Sequence, residues 1–329
     1  MAPAPQLVRT ARCLWQWQWQ QLMNGLGPAD AAGNYRRPAG AFGTLPPMPA
    51  DAAVAGSHVL IVGRSCPWAH RAWLVWCLRQ LSTTVELVVV EPDPQAGRWC
   101  FSTAFEGCST LAELYRRSGA AQGVRATVPA LYSRGQGRIV VSESARLIEL
   151  LNRWPQAGAG AGAGSGAGPD LEPSAQAEAT TSWRERLQQH VNDGVYRCGF
   201  ARNQAAYDRA ETALFETLEA AAASLEARPG EWLSGPALSL ADVVLFPTLI
   251  RLELVYAPLF GCSRVPLWQL PALWQWRSRF HDLEGVAATC WEQAWRRDYF
   301  GALFPLNPGG IVPAGPALST LVAGRPARP

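Results

Sequence analysis

The segment SCPWAHR, residues 65–71, places a cysteine between the apolar run HVLIVG and a segment rich in Trp and Leu. Pro67 suits the first position of a helix, because the N–H that it lacks would have no partner there. Cys66 is then the N-cap, where unpaired N–H groups and the helix dipole favour negative charge. We expect this position to lower the pKa of Cys66 toward a nucleophilic thiolate. The alternative is a buried, inert cysteine, and the Cys-Pro pair alone does not decide between the two.

No second cysteine stands three residues after Cys66, because position 69 is Ala. A mixed disulfide formed at Cys66 must therefore be resolved by an external thiol. Glutathione is the obvious candidate, as a co-substrate rather than a permanently bound cofactor. The eight cysteines are scattered, with no CxxC motif and no Cys/His pairs at zinc-ligand spacing. We therefore predict no metal site and no disulfide framework.

Two tripeptides farther along the chain support a glutathione site, TVP at 127–129 and SES at 142–144. Pro129 is predicted to be a cis-proline, so that Val128 can pair with the cysteinyl backbone of glutathione as strands pair. At the second tripeptide a strand leads into a helix, where N–H groups and the hydroxyl of Ser144 can take the γ-glutamyl carboxylate. Glu143 can take the ammonium group. The simpler interpretation of Ser144 is a plain helix cap.

Between about residues 57 and 153, apolar strand patterns alternate with helical ones in the order βαβαββα. This order predicts an α/β thioredoxin-like domain with a mixed four-stranded sheet over residues 56–154, preceded by an N-terminal extension over 1–55. The Ala/Gly run within 155–174 predicts a flexible linker.

Helical spacing without a convincing strand predicts an all-α domain over 175–300. Within it, Ser239 and Asp242 have the spacing of a capping box before VVLF. The Pro- and Gly-rich tail, 301–329, is expected to lack regular structure and to wrap over the surface or over the site.

Taken together, these residues resemble the xi-class glutathione transferases, the glutathionyl-hydroquinone reductases. The resemblance covers nearly the whole chain, and it is most specific where a CPWAHR-type cysteine motif occurs together with the two later motifs VYRCGF and NPGGIVPAGP. The matching segments are CPWAHR at 66–71, GRWCF with Trp99 and Phe101, RATVP at 125–129, Glu143-Ser144, GVYRCGF at 194–200, LVYAPLF with Tyr256, Tyr299-Phe300 and NPGGIVPAGP at 307–316.

The resemblance implies a fold with a glutathione-transferase-like helical domain and an activity, the reductive removal of glutathione from glutathionyl-hydroquinones. It implies that Cys66 attacks the glutathionyl sulfur and that a second glutathione then releases oxidised glutathione. Tyr196 and Tyr299 fall on positions that contact the aromatic substrate, with packing residues as the alternative. The family's glutathione-binding positions fall on Trp99, Arg125, Val128, Glu143 and Ser144.

Three departures from the family pattern concern substrate preference and turnover. Asp298 stands where the family usually has His, Glu253-Leu254 replaces an Asp-Pro pair, and the strand after the cis-proline has Leu131-Tyr132-Ser133 where the family has Leu-Trp-Asp. His70 and Arg71 lie one turn into the helix that follows Cys66. They are interpreted either as groups that tune the thiolate or as a packing face.

Composition bounds the remaining possibilities. With 329 residues, 48% of them apolar, and a net charge of +3, the chain can bury a core but has no basic stripe for nucleic acid. No uninterrupted apolar run reaches the roughly 18–20 residues that span a bilayer, so we expect no membrane partner and a cytoplasmic protein. The resemblance implies a homodimer. The Arg-containing N-terminus, which has no acid before Asp30, leaves a transit peptide as the minority interpretation.

Two other functions remain open. An omega-like thiol transferase or dehydroascorbate reductase would share Cys66 and the whole glutathione site, but would not need Tyr196 and Tyr299. A non-enzymatic assembly module would use some of the fifteen tryptophans as an interface.

Overall fold

The computed structural model describes residues 4–93, 97–155 and 168–324. The chain begins with helix α1, Pro5–Leu26, of which Met23 alone is buried. The arm, residues 27–55, then crosses the surface in irregular structure with one bridge between Ala29 and Tyr35. Most of α1 is therefore exposed, whereas the arm lies against the rest of the molecule.

A six-stranded mixed sheet forms the first half of the chain, with the spatial order β4-β3-β2-β1-β5-β6. Its strands are β1 His58–Gly63, β2 Val85–Asp93, β3 Arg98–Phe105, β4 Cys108–Thr110, β5 Ala130–Ser133 and β6 Arg138–Val141. Strands β1 and β2 are parallel and the other pairs are antiparallel. Parallel neighbours need a crossover, which helix α2, Pro67–Leu78, supplies. Helices α3, Leu111–Arg117, and α4, Ser144–Asn152, complete this half.

The predicted thioredoxin-like fold is confirmed, but the predicted strand count of four is too low. The four predicted strands are β1, β2, β5 and β6, and a hairpin of β3 and β4 extends the sheet beyond β2. Glu106 and Gly107 form its two-residue turn, both with positive φ. That conformation suits the twist of a tight hairpin. Strand β3 could not be predicted from an apolar pattern, because most of its side chains are partly or fully exposed.

The second half is helical, as predicted. Its helices are α5 Ala177–Leu187, α6 Gly194–Gly199, α7 Gln204–Ala227, α8 Leu240–Leu249, α9 Ala257–Phe260, α10 Pro271–His281, α11 Glu292–Ala302 and α12 Leu318–Leu321. A π-helical turn, Leu252–Tyr256, joins α8 to α9. Every residue of α8 is buried, so this helix is the centre of the second core.

The segment Leu240–Phe260 is long and apolar enough, by length and composition alone, to cross a bilayer. This finding corrects the expectation that no segment would pass that test. Asp242, Arg251 and Glu253 interrupt the apolar pattern in the sequence. Since 78% of the segment's most apolar window is buried inside the protein, it has the character of a core helix.

The two predicted connecting regions have different outcomes. Residues 156–167, most of the predicted linker, lie outside the described residues, so the linker stays a prediction. In the tail, the residues between Leu303 and Ala317 are irregular as expected, but α11 continues past residue 300 and the short α12 follows. Arg296 holds the tail in place by donating to the carbonyl oxygens of Pro313, at 2.7 Å, and Gly315, at 3.2 Å.

Candidate active site

Cys66 caps the N-terminus of α2 with extended backbone angles, and Pro67 occupies the first helical position. The predicted placement of this cysteine is therefore confirmed. Its Sγ lies 3.4 Å from the carbonyl oxygen of Val128, to which the thiol donates. The peptide bond between Val128 and Pro129 is cis, as predicted.

The expected direction of the Cys66 pKa is not what the structure gives. Burial is the largest effect on the thiol and raises its pKa, although part of the residue remains accessible. The N–H groups of Ala69 and Trp68, followed by the charges of Arg251 and Arg37, lower the pKa but do not outweigh burial. The bond to the Val128 carbonyl also needs the proton on sulfur. Burial and the bond to Val128 thus both favour the thiol over the thiolate at Cys66.

The junction between β6 and α4 contains two of the predicted glutathione-binding residues. Glu143 is the N-cap of α4, and its Oε1 accepts from the N–H of Ala145 at 3.5 Å. The hydroxyl of Ser144 is buried and has no hydrogen-bond partner. A buried hydroxyl without a partner costs free energy, so a polar ligand group at this point would satisfy it.

Trp99 on β3 packs against β1 at a position where only glycine fits. A Cβ built on Gly63 would lie 2.6 Å from the Trp99 ring, closer than real contacts allow. Arg125, on the loop before the cis-proline, is exposed. Trp99 thus packs closely on β1, whereas Arg125 is accessible from solvent.

Three tyrosine hydroxyls meet on the helical side of the cleft. The hydroxyl of Tyr299, on α11, lies 2.6 Å from that of Tyr196, on α6, and 3.2 Å from that of Tyr256. Burial is the main reason that the pKa values of Tyr196 and Tyr299 lie well above the ordinary tyrosine value. These phenols therefore remain protonated and can donate.

Tyr256 is a member of this cluster that the sequence did not assign to the site. It lies in the matching segment LVYAPLF, and that position is the only signal that could have identified it. It is fully buried. Its hydroxyl acts through Tyr299 rather than at the surface of the cleft, so it positions the other two phenols.

The arm supplies the third wall, which the sequence did not predict. The guanidinium of Arg37 lies 3.7 Å from the ring centroid of Trp68, and that ring stacks on Tyr196 at 6.0 Å. The arm is tied to β6 and α4 by Ser142, whose N–H donates to the carbonyl oxygen of Phe42 at 2.9 Å. Arg37 therefore brings a positive charge to the mouth of the cleft.

All eight predicted site residues line one cleft of about 310 Å³, within the usual range for small-molecule sites. They are Cys66, Trp99, Arg125, Val128, Glu143, Ser144, Tyr196 and Tyr299. Within the described ranges, no group of three or more His, Cys, Asp or Glu side chains could hold a metal ion.

The three departures from the family pattern lie in different places. Asp298 lines the cleft next to Tyr299, with Oδ1 accepting from Arg297 at 2.7 Å and Oδ2 buried without a partner. Glu253 instead pairs with the buried Arg277 at 2.8 Å, and neither residue is part of the cleft lining. Leu131-Tyr132-Ser133 forms the buried strand β5. Asp298 is thus the departure that a substrate would meet.

The thioredoxin-like half, the helical half and the cysteine at their shared cleft define a glutathione-transferase type of protein. Residues 65–154 match the family described as "Glutathione S-transferase, N-terminal domain", and residues 204–279 match "Glutathione S-transferase, C-terminal domain".

Two similar proteins narrow the class. The chain is 32% identical over 270 residues to the "Glutathionyl-hydroquinone reductase PcpF" of Sphingobium chlorophenolicum, covering 80% of this chain and 83% of that one. It is 31% identical over 268 residues to the "Glutathionyl-hydroquinone reductase YqjG" of Escherichia coli K12, with 78% of each covered. The chain therefore belongs to the glutathione S-transferase family, in the branch of the xi-class glutathionyl-hydroquinone reductases.

Solved structures agree with this placement. The xi glutathione S-transferase of Phanerochaete chrysosporium superposes with a TM-score of 0.80 at 28% identity, covering 88% of this chain and 94% of that one. The glutathione-bound structure of YqjG from Escherichia coli superposes with a TM-score of 0.70 at 30% identity, covering 80% and 86%.

Proposed function

We propose that the protein reduces glutathionyl-hydroquinones to hydroquinones in two steps. In the first, the Cys66 thiolate attacks the sulfur of the conjugate, a disulfide forms between Cys66 and glutathione, and the carbon–sulfur bond breaks. The bonding electrons stay on the ring carbon, which takes a proton. In the second, free glutathione as thiolate attacks the mixed disulfide, releases oxidised glutathione and restores Cys66. Over the two steps, the thioether sulfur of the conjugate and the thiol sulfur of the second glutathione are oxidised to a disulfide, while the ring carbon is reduced and Cys66 is regenerated.

The glutathione part of the conjugate is proposed to lie along β5 and the start of α4. Val128 pairs with its cysteinyl backbone, while the unpartnered hydroxyl of Ser144 takes the γ-glutamyl carboxylate and Glu143 takes the ammonium group. Trp99 and Arg125 also line the cleft. These contacts bring the conjugate's sulfur toward Cys66.

The aromatic ring is proposed to lie against Tyr196 and Tyr299. Because these phenols are held protonated and hydrogen-bonded to each other, they can bond the quinol oxygens and supply the proton for the ring carbon. The observation that carries the proposal is that this phenol pair and Cys66 line the same cleft. A thiol transferase acting on disulfides has no ring carbon to protonate.

Intact-mass measurement tests the first step directly. Protein mixed with a glutathionyl-hydroquinone alone should gain one glutathione at Cys66 and release one hydroquinone, and later addition of glutathione should reverse the mass gain. Cys66→Ser should do neither. A wild-type protein that accepts neither this conjugate nor a glutathionyl disulfide would instead favour the assembly module.

The variant Tyr299→Phe separates the proposal from an omega-like thiol transferase. The chain is also 28% identical to a "Glutathione S-transferase omega-like 2" of Schizosaccharomyces pombe, so an omega-like activity is an alternative that needs a direct test. The loss of the hydroxyl should slow hydroquinone release about a hundredfold or more, the usual scale for a general acid, and leave attack on a simple glutathionyl disulfide nearly unchanged. Equal losses on both substrates would make Tyr299 structural and favour the thiol transferase.

The setting of the activity is also proposed from the family resemblance, as a cytoplasmic homodimer that uses glutathione as co-substrate and keeps no permanent cofactor. Sedimentation equilibrium on the purified protein tests the dimer, and a mass of one chain at micromolar concentration would contradict it.

A further inference from the structure

A buried arginine lies beneath the loop that carries Cys66. Arg251, just after α8, is completely buried, and its guanidinium lies 4.0 Å from the ring centroid of Trp295. Its nitrogens donate to the carbonyl oxygens of Pro247, at 2.9 Å, and Arg64, at 3.5 Å. Arg64 is only two residues before the cysteine. The side chain thus connects the central helix of the second core to the loop that carries the nucleophile.

Among the described residues, no Asp or Glu forms an ion pair with Arg251. The carboxylate nearest in sequence, Glu253, is paired with Arg277 instead. Of the other buried arginines, Arg296 pairs with Glu292, and Arg71 has the charges of Asp193 and Glu143 near it. A guanidinium stays protonated in proteins, and burying its charge without an acid is costly.

His70, on α2, holds the guanidinium in place by a hydrogen bond. Its Nδ1 lies 2.9 Å from a nitrogen of Arg251, and its Nε2 lies 2.7 Å from the hydroxyl of Thr289. Burial and the neighbouring arginine hold the pKa of His70 well below its usual range, so the ring is neutral. A neutral ring that accepts at Nδ1 must donate from Nε2, and Thr289 in turn donates to the carbonyl oxygen of Val286. His70 therefore orients the charge without adding a second one.

Four acids lie close enough to Arg251 to be affected by its charge. They are Cys66 from the loop, Cys290 beside Thr289, Tyr256 from the π-helical turn and Tyr299 from α11. The charge of Arg251 lowers the pKa of each of these four. Of the four, Cys66 is the group that must become an anion in the proposed reaction.

We infer that Arg251 is a positioning residue whose buried charge is the counter-ion of the Cys66 thiolate, held in place by His70 and the Arg64 carbonyl. This inference rests on the proposed function for its catalytic meaning. It also explains a chemical difficulty of the site, because burial disfavours the thiolate and a fixed cation behind the loop opposes that effect.

Alkylation of Cys66 by iodoacetamide tests the inference without any hydroquinone. Arg251→Met should react about tenfold more slowly than wild type at pH 8, because a lost opposite charge typically raises a thiol's pKa by about one unit or more. The two rates should converge at high pH. Arg251→Lys keeps the charge and should stay near the wild-type profile, so a loss of packing alone would not give this pattern.

Arg277→Met is the matched control, since Arg277 is equally buried but its charge is already paired with Glu253. Arg277→Met should lower the thermal stability of the protein, and its alkylation rates should match those of wild type across the pH range. An unchanged profile in Arg251→Met, or equal shifts in Arg251→Met and Arg251→Lys, would overturn the inference. If Arg251→Met does not fold, Arg251→Gln makes the same comparison with a polar side chain. If Arg251→Met slows alkylation as expected but wild type releases no hydroquinone, the proposed function is rejected and this inference stands.

Discussion

At the scale of single residues, the pKa of Cys66 should lie above that of a free cysteine, whereas its position at a helix N-terminus alone would place the pKa below it. Only the thiolate reacts, and burial raises the pKa of this thiol. The rate of alkylation should therefore still be climbing above the ~8.5 of a free cysteine, by about tenfold per pH unit below the pKa. Peptide mapping after iodoacetamide treatment between pH 6 and 10 measures it, with Cys66→Ser as the background. A plateau reached below pH 8 would contradict this expectation.

The sequence could predict residues that line one cleft, whereas the energetic balance at Cys66 could not be predicted. A Cys-Pro pair after a strand reveals the helix cap, because the cap is a local property of the chain. Burial of the sulfur and the bond to Val128 depend on a loop 62 positions away. Arg251 and Tyr256 were missed for the same reason, since each reaches the site only through helical packing.

At the scale of elements, the start of α8 depends on one buried carboxylate. Asp242 accepts from the N–H and hydroxyl of Ser239, the N–H of Leu233 and the indole N–H of Trp276, all between 2.8 and 3.0 Å. Asp242→Ala leaves these donors unpaired and should lower the free energy of unfolding by about 3 kcal/mol or more. Ser239→Ala should cost only about 1 kcal/mol, as for an ordinary cap.

Urea unfolding followed by circular dichroism measures both variants. Thr110→Ala is the control, because Thr110 caps α3 in a capping box whose acidic partner, Glu113, lies at an exposed helix end rather than in the core. If Asp242→Ala lowers the free energy of unfolding no more than Thr110→Ala does, the buried carboxylate stabilises the fold no more than an ordinary helix cap.

The elements that the sequence predicted are those with a strong local pattern. Strand β1 is a continuous apolar run, and the Ser239–Asp242 spacing marks the start of α8. Strand β3 was missed because most of its side chains are partly or fully exposed, so its sequence has no apolar strand pattern, and the hairpin turn uses Glu106 where Asn or Asp would have signalled it. The short α12 was missed because its place depends on contacts such as that of Arg296 with the preceding tail.

At the scale of the whole molecule, the N-terminal region divides into a dispensable part and a part that belongs to the cleft. Removing residues 1–21 keeps Met23, the buried residue of α1, and should leave turnover within about twofold of wild type. Removing residues 1–45 also deletes Arg37 and the Phe42 contact with Ser142, so KM for the conjugate should rise about tenfold, the equivalent of about 1.4 kcal/mol.

Steady-state kinetics on the two truncations measures the difference, and Arg37→Ala gives the same direction with the chain intact. Equal KM values for wild type and the longer truncation would show that the arm is no part of the binding site.

The residues that hold the Cys66 loop come from far along the chain. Arg64 receives hydrogen bonds from Arg251 and from the indole of Trp295, and the aromatic wall is complete only when Tyr299 is in place. A chain that ends at residue 155 therefore contains Cys66 but lacks the arginine, the indole and the tyrosines that surround its loop. The first half of the protein cannot form this cleft by itself, because one side of the cleft is built from residues more than a hundred positions farther along the chain.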